Sequence, residues 1–178
     1  MHHTLKFYAR FQHAILVFYL ALARLTAVPL IGQAVCKIAN IYGLRKHHGY
    51  VLTLQEAEAI IDASTEVALG PCSCRQVTHK CDTPIMTEIL VGSGPDVFSK
   101  IKPDGFISIS RVKAKEILRE CNAKKLMHSL MKCDEHFYAI CNCCTCCCVP
   151  LRLRQQYKIN AALIRDTHVV EIFKNNLI

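Results

Sequence analysis

A chain of 178 residues with 52% hydrophobic residues and no long polar tract supports one domain with an appendage, and excludes a disordered protein. Its formal charge of +8 comes without a basic patch interleaved with aromatics, so no nucleic-acid partner is expected. Of its 12 cysteines, six fall within residues 141–148, a crowding that excludes the usual secreted disulfide framework, in which each cysteine needs a partner at a fixed Cα separation.

Residues 1–55 contain no Asp or Glu and carry Lys6, Arg10, Arg24, Lys37, Arg45 and Lys46. Between these charges lie two apolar stretches, 11–23 and 25–41, the second broken by Pro29 and Gly32. Neither reaches the roughly 18–20 uninterrupted apolar residues of a bilayer span. Apolar helices edged by Lys, Arg and Tyr predict that residues 1–48 dock on a membrane surface or on a membrane-bound partner. No small-residue cleavage site of the secretory kind closes this segment, and residues 1–52 hold no Ser, which argues against a transit peptide. The expected location is cytoplasmic, a reducing compartment, at the inner face of the membrane or on a membrane complex.

A cysteine-rich domain is expected over residues 49–152. Thr53 and Glu56 form a capping box that opens a helix running to about Ala63. Residues 66–69 read as a short buried strand that delivers Cys72-Ser73-Cys74, and a loop carrying His79 and Cys81 follows. Helices are predicted over 85–91 and 95–101. Residues 107–110 lead into a helix over 111–123, with Ser110 as N-cap and a stripe of Val112, Ala114, Ile117, Leu118 and Cys121. Residues 126–131 alternate like a strand, and 136–140 form another that delivers Cys141-Asn142-Cys143. The plan of helix, strand and Cys-x-Cys thus occurs twice. If the two strands lie side by side, both Cys-x-Cys turns meet at one end of a sheet. In the C-terminal extension, 153–178, residues 169–173 read as a last strand. The predicted class is α+β: a small sheet with packed helices, two helix–strand–CxC units converging on a metal site, and N-terminal apolar helices before them.

Thiolate sulfur is soft and suits zinc, copper(I) and iron–sulfur clusters. A Cys-x-x-Cys spacing brings two sulfurs to one metal from a single turn, and it occurs at Cys141/Cys144, Cys143/Cys146 and Cys144/Cys147. With Cys148 and the upstream Cys72, Cys74 and Cys81, nine cysteines are candidate ligands. Four suffice for one zinc or one cubane cluster. Nine therefore point to a polynuclear centre, to two clusters, or to a non-cubane cluster, with structural zinc as the alternative. Metal-bound cysteines are thiolates, and Arg75, Lys80, Arg152 and Arg154 flank them as possible counter-charges. Cys36 and Cys121 read as packing residues, while Cys133 is ambiguous.

The segments Pro71-Cys72-Ser73-Cys74-Arg75, Cys81 and Tyr138-Ala139-Ile140-Cys141-Asn142-Cys143-Cys144-Thr145-Cys146-Cys147-Cys148 resemble a cysteine-rich, 4Fe-4S ferredoxin-like family of iron–sulfur-binding proteins from anaerobic bacteria and archaea. Leu52 to Ala57 and Ile109 to Leu118 fit the same domain, so the likeness covers about residues 50–152. Many such proteins continue into a ferredoxin domain, whereas residues 153–178 contain no cysteine. The resemblance implies a 4Fe-4S cluster and an electron-transfer or redox accessory subunit of a membrane-associated complex, with a separate redox subunit as partner. Two other roles stay open: an enzyme whose cluster-based site performs thiol/disulfide chemistry, and a zinc-stabilised interaction module.

Overall fold

The structure, a computed structural model, describes residues 2–177. In chain order the elements are α1 (His3–Ala23), α2 (Gly32–Lys46), β1 (His47–Leu52), α3 (Leu54–Ala63), β2 (Ala68–Pro71), α4 (Ser73–Thr78), β3 (Met86–Leu90), α5 (Gly94–Ile101), β4 (Ile107–Ser108), α6 (Arg111–Ala123), β5 (Met127–Cys133), β6 (His136–Cys143), α7 (Val149–Tyr157), β7 (Leu163–Ile164) and α8 (Val169–Asn176). The seven strands form one mixed sheet in the order β4-β2-β3-β6-β5-β1-β7, in which only the β1–β7 pair is parallel. The α+β class read from the sequence is the class observed.

Both faces of the sheet are covered. Against one face, α3, α6 and α8 bury Ile60, Ile61, Leu118 and Phe173 on Leu69, Ile89, Phe137 and Ile140. Against the other, α1 and α5 bury Leu5, Tyr8 and Phe98 on Leu90, Tyr138 and Ala139. Successive strand residues point to opposite faces, so neighbours such as Ile89 and Leu90 serve different layers. Local signals set the helix starts. The Thr53 hydroxyl accepts the Glu56 N–H at 3.2 Å while the Glu56 carboxylate accepts the Thr53 N–H at 2.8 Å. Ser110 accepts the Lys113 N–H at 3.1 Å and starts α6.

Two expected elements have the opposite type. Residues 85–91, read as a helix, contain β3, because a central strand buried on both faces shows a continuous apolar run instead of an alternation. Residues 169–173, read as a strand, begin α8, where Val169 and Phe173 lie one turn apart and are both buried. In the turn before α8 the Asp166 carboxylate accepts the His168 N–H at 2.8 Å.

The first correction decides how the cysteines meet. Strands β2 and β6 are not side by side; β3 lies between them, antiparallel to each. Two strands antiparallel to a common neighbour are parallel to one another, so both chains leave the sheet at the same end. Cys72-Ser73-Cys74 and Cys141-Asn142-Cys143 therefore converge with one strand intervening.

Candidate metal centre

Each cysteine is placed by the end of a regular element. Cys72 is the N-cap of α4 and Cys74 lies in its first turn. Cys141 and Cys143 close β6, and their spacing of two puts both side chains on one face. The chain then turns through Cys144, Cys146 and Cys147, and Cys148 caps α7, which has a proline in its first turn. All 12 cysteines are free thiols.

The nine candidate ligands divide into two adjoining groups. Cys81, Cys144, Cys146 and Cys147 form an outer tetrad whose four Sγ atoms all lie within 4.8 Å of one another. Cys81 Sγ stands 3.7 Å from that of Cys144 and 3.5 Å from that of Cys147. A metal–sulfur distance of about 2.3 Å in a tetrahedral thiolate site places the sulfurs roughly 3.8 Å apart, so this cysteine cluster can hold a metal ion. The Thr83 hydroxyl and N–H beside Cys81 hold its thiol down to about 6, inside the range of a ready thiolate. Burial and contact with Cys81 push Cys146 up to about 12.

Cys72, Cys74, Cys141, Cys143 and Cys148 form the inner group around a cavity of about 50 Å³, which Tyr8, Glu88 and Tyr138 also line. Cys144 reaches the same cavity and joins the two groups. Among the described residues, no second set of three or more metal-ligating side chains closes to 4.8 Å, so the inner sulfurs are too spread for a single ion. They are neighbours in series, Cys72 beside Cys74, Cys74 beside Cys148 and Cys148 beside Cys143. The Cys148 and Cys72 sulfurs beside it, the Val149 N–H that donates to it at 3.4 Å and the Arg75 charge together hold Cys74 well below the ordinary thiol range. The same contacts push Cys72 and Cys148 up, while burial and then the Glu88 charge push Cys141 up.

The surrounding polar groups are arranged for negative charge. The Arg75 side chain is buried, 2% exposed, and donates at 2.6 Å to the Pro84 carbonyl, the Thr87 hydroxyl and the Asn142 carbonyl. Its Nε has no partner, and it pairs with no carboxylate among the described residues. A buried cation needs an anion, and the groups beside it able to carry negative charge are the sulfurs of Cys72, Cys144 and Cys143. Asn142, alternating away from Cys141 and Cys143, bonds His128 Nδ1 at 2.6 Å and donates to the Thr87 carbonyl at 2.7 Å, fixing the end of β6 against β3. Glu88 is buried; burial and then the Cys74 charge raise its pKa to about 7, and its Oε1 is unpartnered.

All nine cysteines read from the sequence lie in these two groups, but the three Cys-x-x-Cys pairs fare differently. Cys144/Cys147 stays together in the tetrad and Cys141/Cys144 shares the inner cavity, while Cys143/Cys146 is split where β6 ends. Cys121 and Cys133 are buried in the two main cores and belong to neither group, and Cys36 donates to the Lys158 carbonyl. Of the flanking cations, only Arg75 is enclosed with the thiolates. Glu88 was missed; its one signal was an acid inside the apolar run Ile85 to Val91. No protein-family model matches the chain, and neither a curated protein nor a solved structure is significantly similar to it. Fold and site therefore define the class on their own: an α+β protein with a cysteine cluster able to hold a metal ion.

Proposed function

We propose that the protein is an iron–sulfur protein that serves as an electron-transfer or redox accessory subunit, with the inner cysteines holding a polynuclear cluster and the outer tetrad a second, thiolate-bound metal centre. The observation that carries this reading is the enclosure of Arg75, a buried guanidinium with no carboxylate partner among the described residues and with the sulfurs of Cys72, Cys144 and Cys143 beside it. A protein that kept these thiols neutral would bury that charge without compensation. The donor set supports the same reading, since an all-sulfur environment selects soft metals.

Cys72, Cys74, Cys141, Cys143 and Cys148 would hold the inner group, and Cys81, Cys144, Cys146 and Cys147 the outer one. A bound iron–sulfur cluster supplies one-electron transfer. The chain supplies the rest. Arg75 offsets thiolate charge, the Val149 N–H bonds to Cys74 sulfur, and Tyr8, Leu16 and Tyr138 from α1 and β6 wall off solvent. Such bonds and such burial set the potential of a thiolate-held centre. The second centre places metal closer to the surface, where Cys81 and Cys146 are partly exposed.

Docking on a membrane-bound redox subunit is part of the proposal. No described helix is long and apolar enough to cross a membrane. Yet Phe7, Phe11, Val17 and Phe18 of α1 and Ile38, Ile41 and Leu44 of α2 are exposed, with Leu30 and Ile31 between the helices. Exposed apolar side chains in this number on neighbouring elements are a candidate interaction surface.

The 3.5–3.7 Å sulfur spacing of the outer tetrad also favours a second reading, a structural zinc at that position. Anaerobic purification with iron, sulfide and zinc analysis separates the two. Iron and acid-labile sulfide, with visible absorption that dithionite bleaches, support the redox role. Zinc alone, in a colourless protein, refutes it.

A further inference from the structure

We propose that the apolar cavity between α1 and α2 is a binding site for the ring of a neutral, lipid-borne quinone. The cavity has a volume of about 440 Å³, within the range of small-molecule sites. Phe18, Leu22, Val35 and Ile38 form its walls, and Phe18 and Ile38 are exposed at its mouth, so an apolar ligand can enter from the docking face. No Asp, Glu, Lys or Arg lines it. A carboxylate or an ammonium group would be desolvated there without a counter-charge, so the ligand is uncharged.

The polar end of the cavity specifies what that ligand offers. Tyr42, Tyr19 and His47 form a hydrogen-bonded row, with 2.8 Å between the two hydroxyls and 3.4 Å from Tyr19 to His47 Nδ1. The row continues through His47 Nε2 to the Tyr138 hydroxyl at 2.9 Å. With a neutral imidazole, the four side chains own four protons and share three bonds, which leaves one donor over. Left at the inner end, it would be the hydroxyl of buried Tyr138; left at the outer end, it is the hydroxyl of half-exposed Tyr42, the cheaper place for an unpaired donor. The cavity therefore presents a neutral acceptor with one donor, the match for a ring carbonyl.

The same row locates the site. Tyr19 and His47 line this cavity and the cysteine cavity alike, and Tyr8 and Tyr138 line the latter. A ring bound at Tyr42 is one layer of side chains from the inner cysteines. The choice of a quinone over another neutral carbonyl lipid rests on the redox reading of those cysteines; the existence of a neutral-ring site rests on the cavity alone.

Isothermal titration of the purified chain with a decyl-substituted benzoquinone tests the assignment, with decanol and decanoate as tail-only controls and metal content measured on the same preparation. Saturable binding is expected, with the controls weaker by on the order of tenfold or more. Tyr42→Phe should weaken it about fivefold by removing the free donor, and Ala39→Leu, which fills the cavity, should abolish it. Controls that bind as tightly as the quinone, or Tyr42→Phe binding unchanged, overturn the assignment, as does the lack of saturable binding. Quinone binding by a protein that carries zinc alone sinks the redox reading and leaves the ring site standing. A cluster-loaded protein that ignores the quinone sinks only the ring site.

Discussion

Replacing Arg75 by Met keeps an apolar stem of similar length and removes the guanidinium. Three acceptors, the Pro84 and Asn142 carbonyls and the Thr87 hydroxyl, each lose a donor now at 2.6 Å. Bonds to a charged donor contribute about 1.5–3 kcal/mol each, for a gross loss of roughly 4–9 kcal/mol. Removing a desolvated cation returns several kcal/mol of that, so the net expectation is about 3–5 kcal/mol, a large part of the stability of a domain this size. The sulfurs make the loss conditional. When Cys72, Cys143 and Cys144 are thiolates bound to metal, Arg75 is their counter-ion; when they are neutral thiols, it is a lone buried charge. Arg75→Met should therefore destabilise the loaded protein more than the metal-free protein, by at least about 1 kcal/mol. Anaerobic urea unfolding followed by far-ultraviolet circular dichroism, with and without metal, measures both. Equal losses below about 1 kcal/mol in both forms, with full metal content retained, would refute the counter-ion role.

Other expectations are narrower. Cys81→Ser should remove the metal of the outer tetrad and leave that of the inner group, so metal analysis should show a partial loss; complete loss would mean a single joint centre. Gly94→Ala should destabilise by more than about 2 kcal/mol, because a Cβ there would collide with the Tyr138 carbonyl oxygen and push α5 off β6; an unchanged thermal midpoint would contradict that packing. Burial lowers the pKa of His47 from 6.5 to about 4. The unfolded chain takes up this proton near 6.5 and the folded one does not, so the contribution is full above 6.5 and lost as pH falls toward 4, by up to about 3 kcal/mol. His47→Gln should flatten the dependence of the urea midpoint between pH 7 and pH 4.5 relative to the parent chain, and equal slopes would count against the enclosure of the ring.

Much of the fold could be read where a signal is local. The caps at Thr53 and Ser110 fixed α3 and α6, and the stripe through Ala114, Leu118 and Cys121 found its core face. What escaped is non-local. Strand β3 hides because both its faces are buried, and β1 hides because its partner β5 lies some eighty residues on, so that nothing near His47 and His48 announces a sheet. The set of nine cysteines was legible from crowding and spacing. Its division was not, since that depends on where β6 stops alternating and the chain turns at Cys144. Nor does a sequence show that Arg75 is enclosed: the three acceptors that hold it come from Pro84, Thr87 and Asn142, which only the β2–β3–β6 order brings together.

Anomalous diffraction from anaerobically grown crystals, collected at the iron and zinc edges, reads the metal and its sulfur neighbours together. Two centres are expected: iron density within the ring of Cys72, Cys74, Cys141, Cys143 and Cys148, and a separate peak among Cys81, Cys144, Cys146 and Cys147. An inner cavity without anomalous signal, or disulfides joining those cysteines in freshly isolated protein, would contradict a thiolate-held cluster.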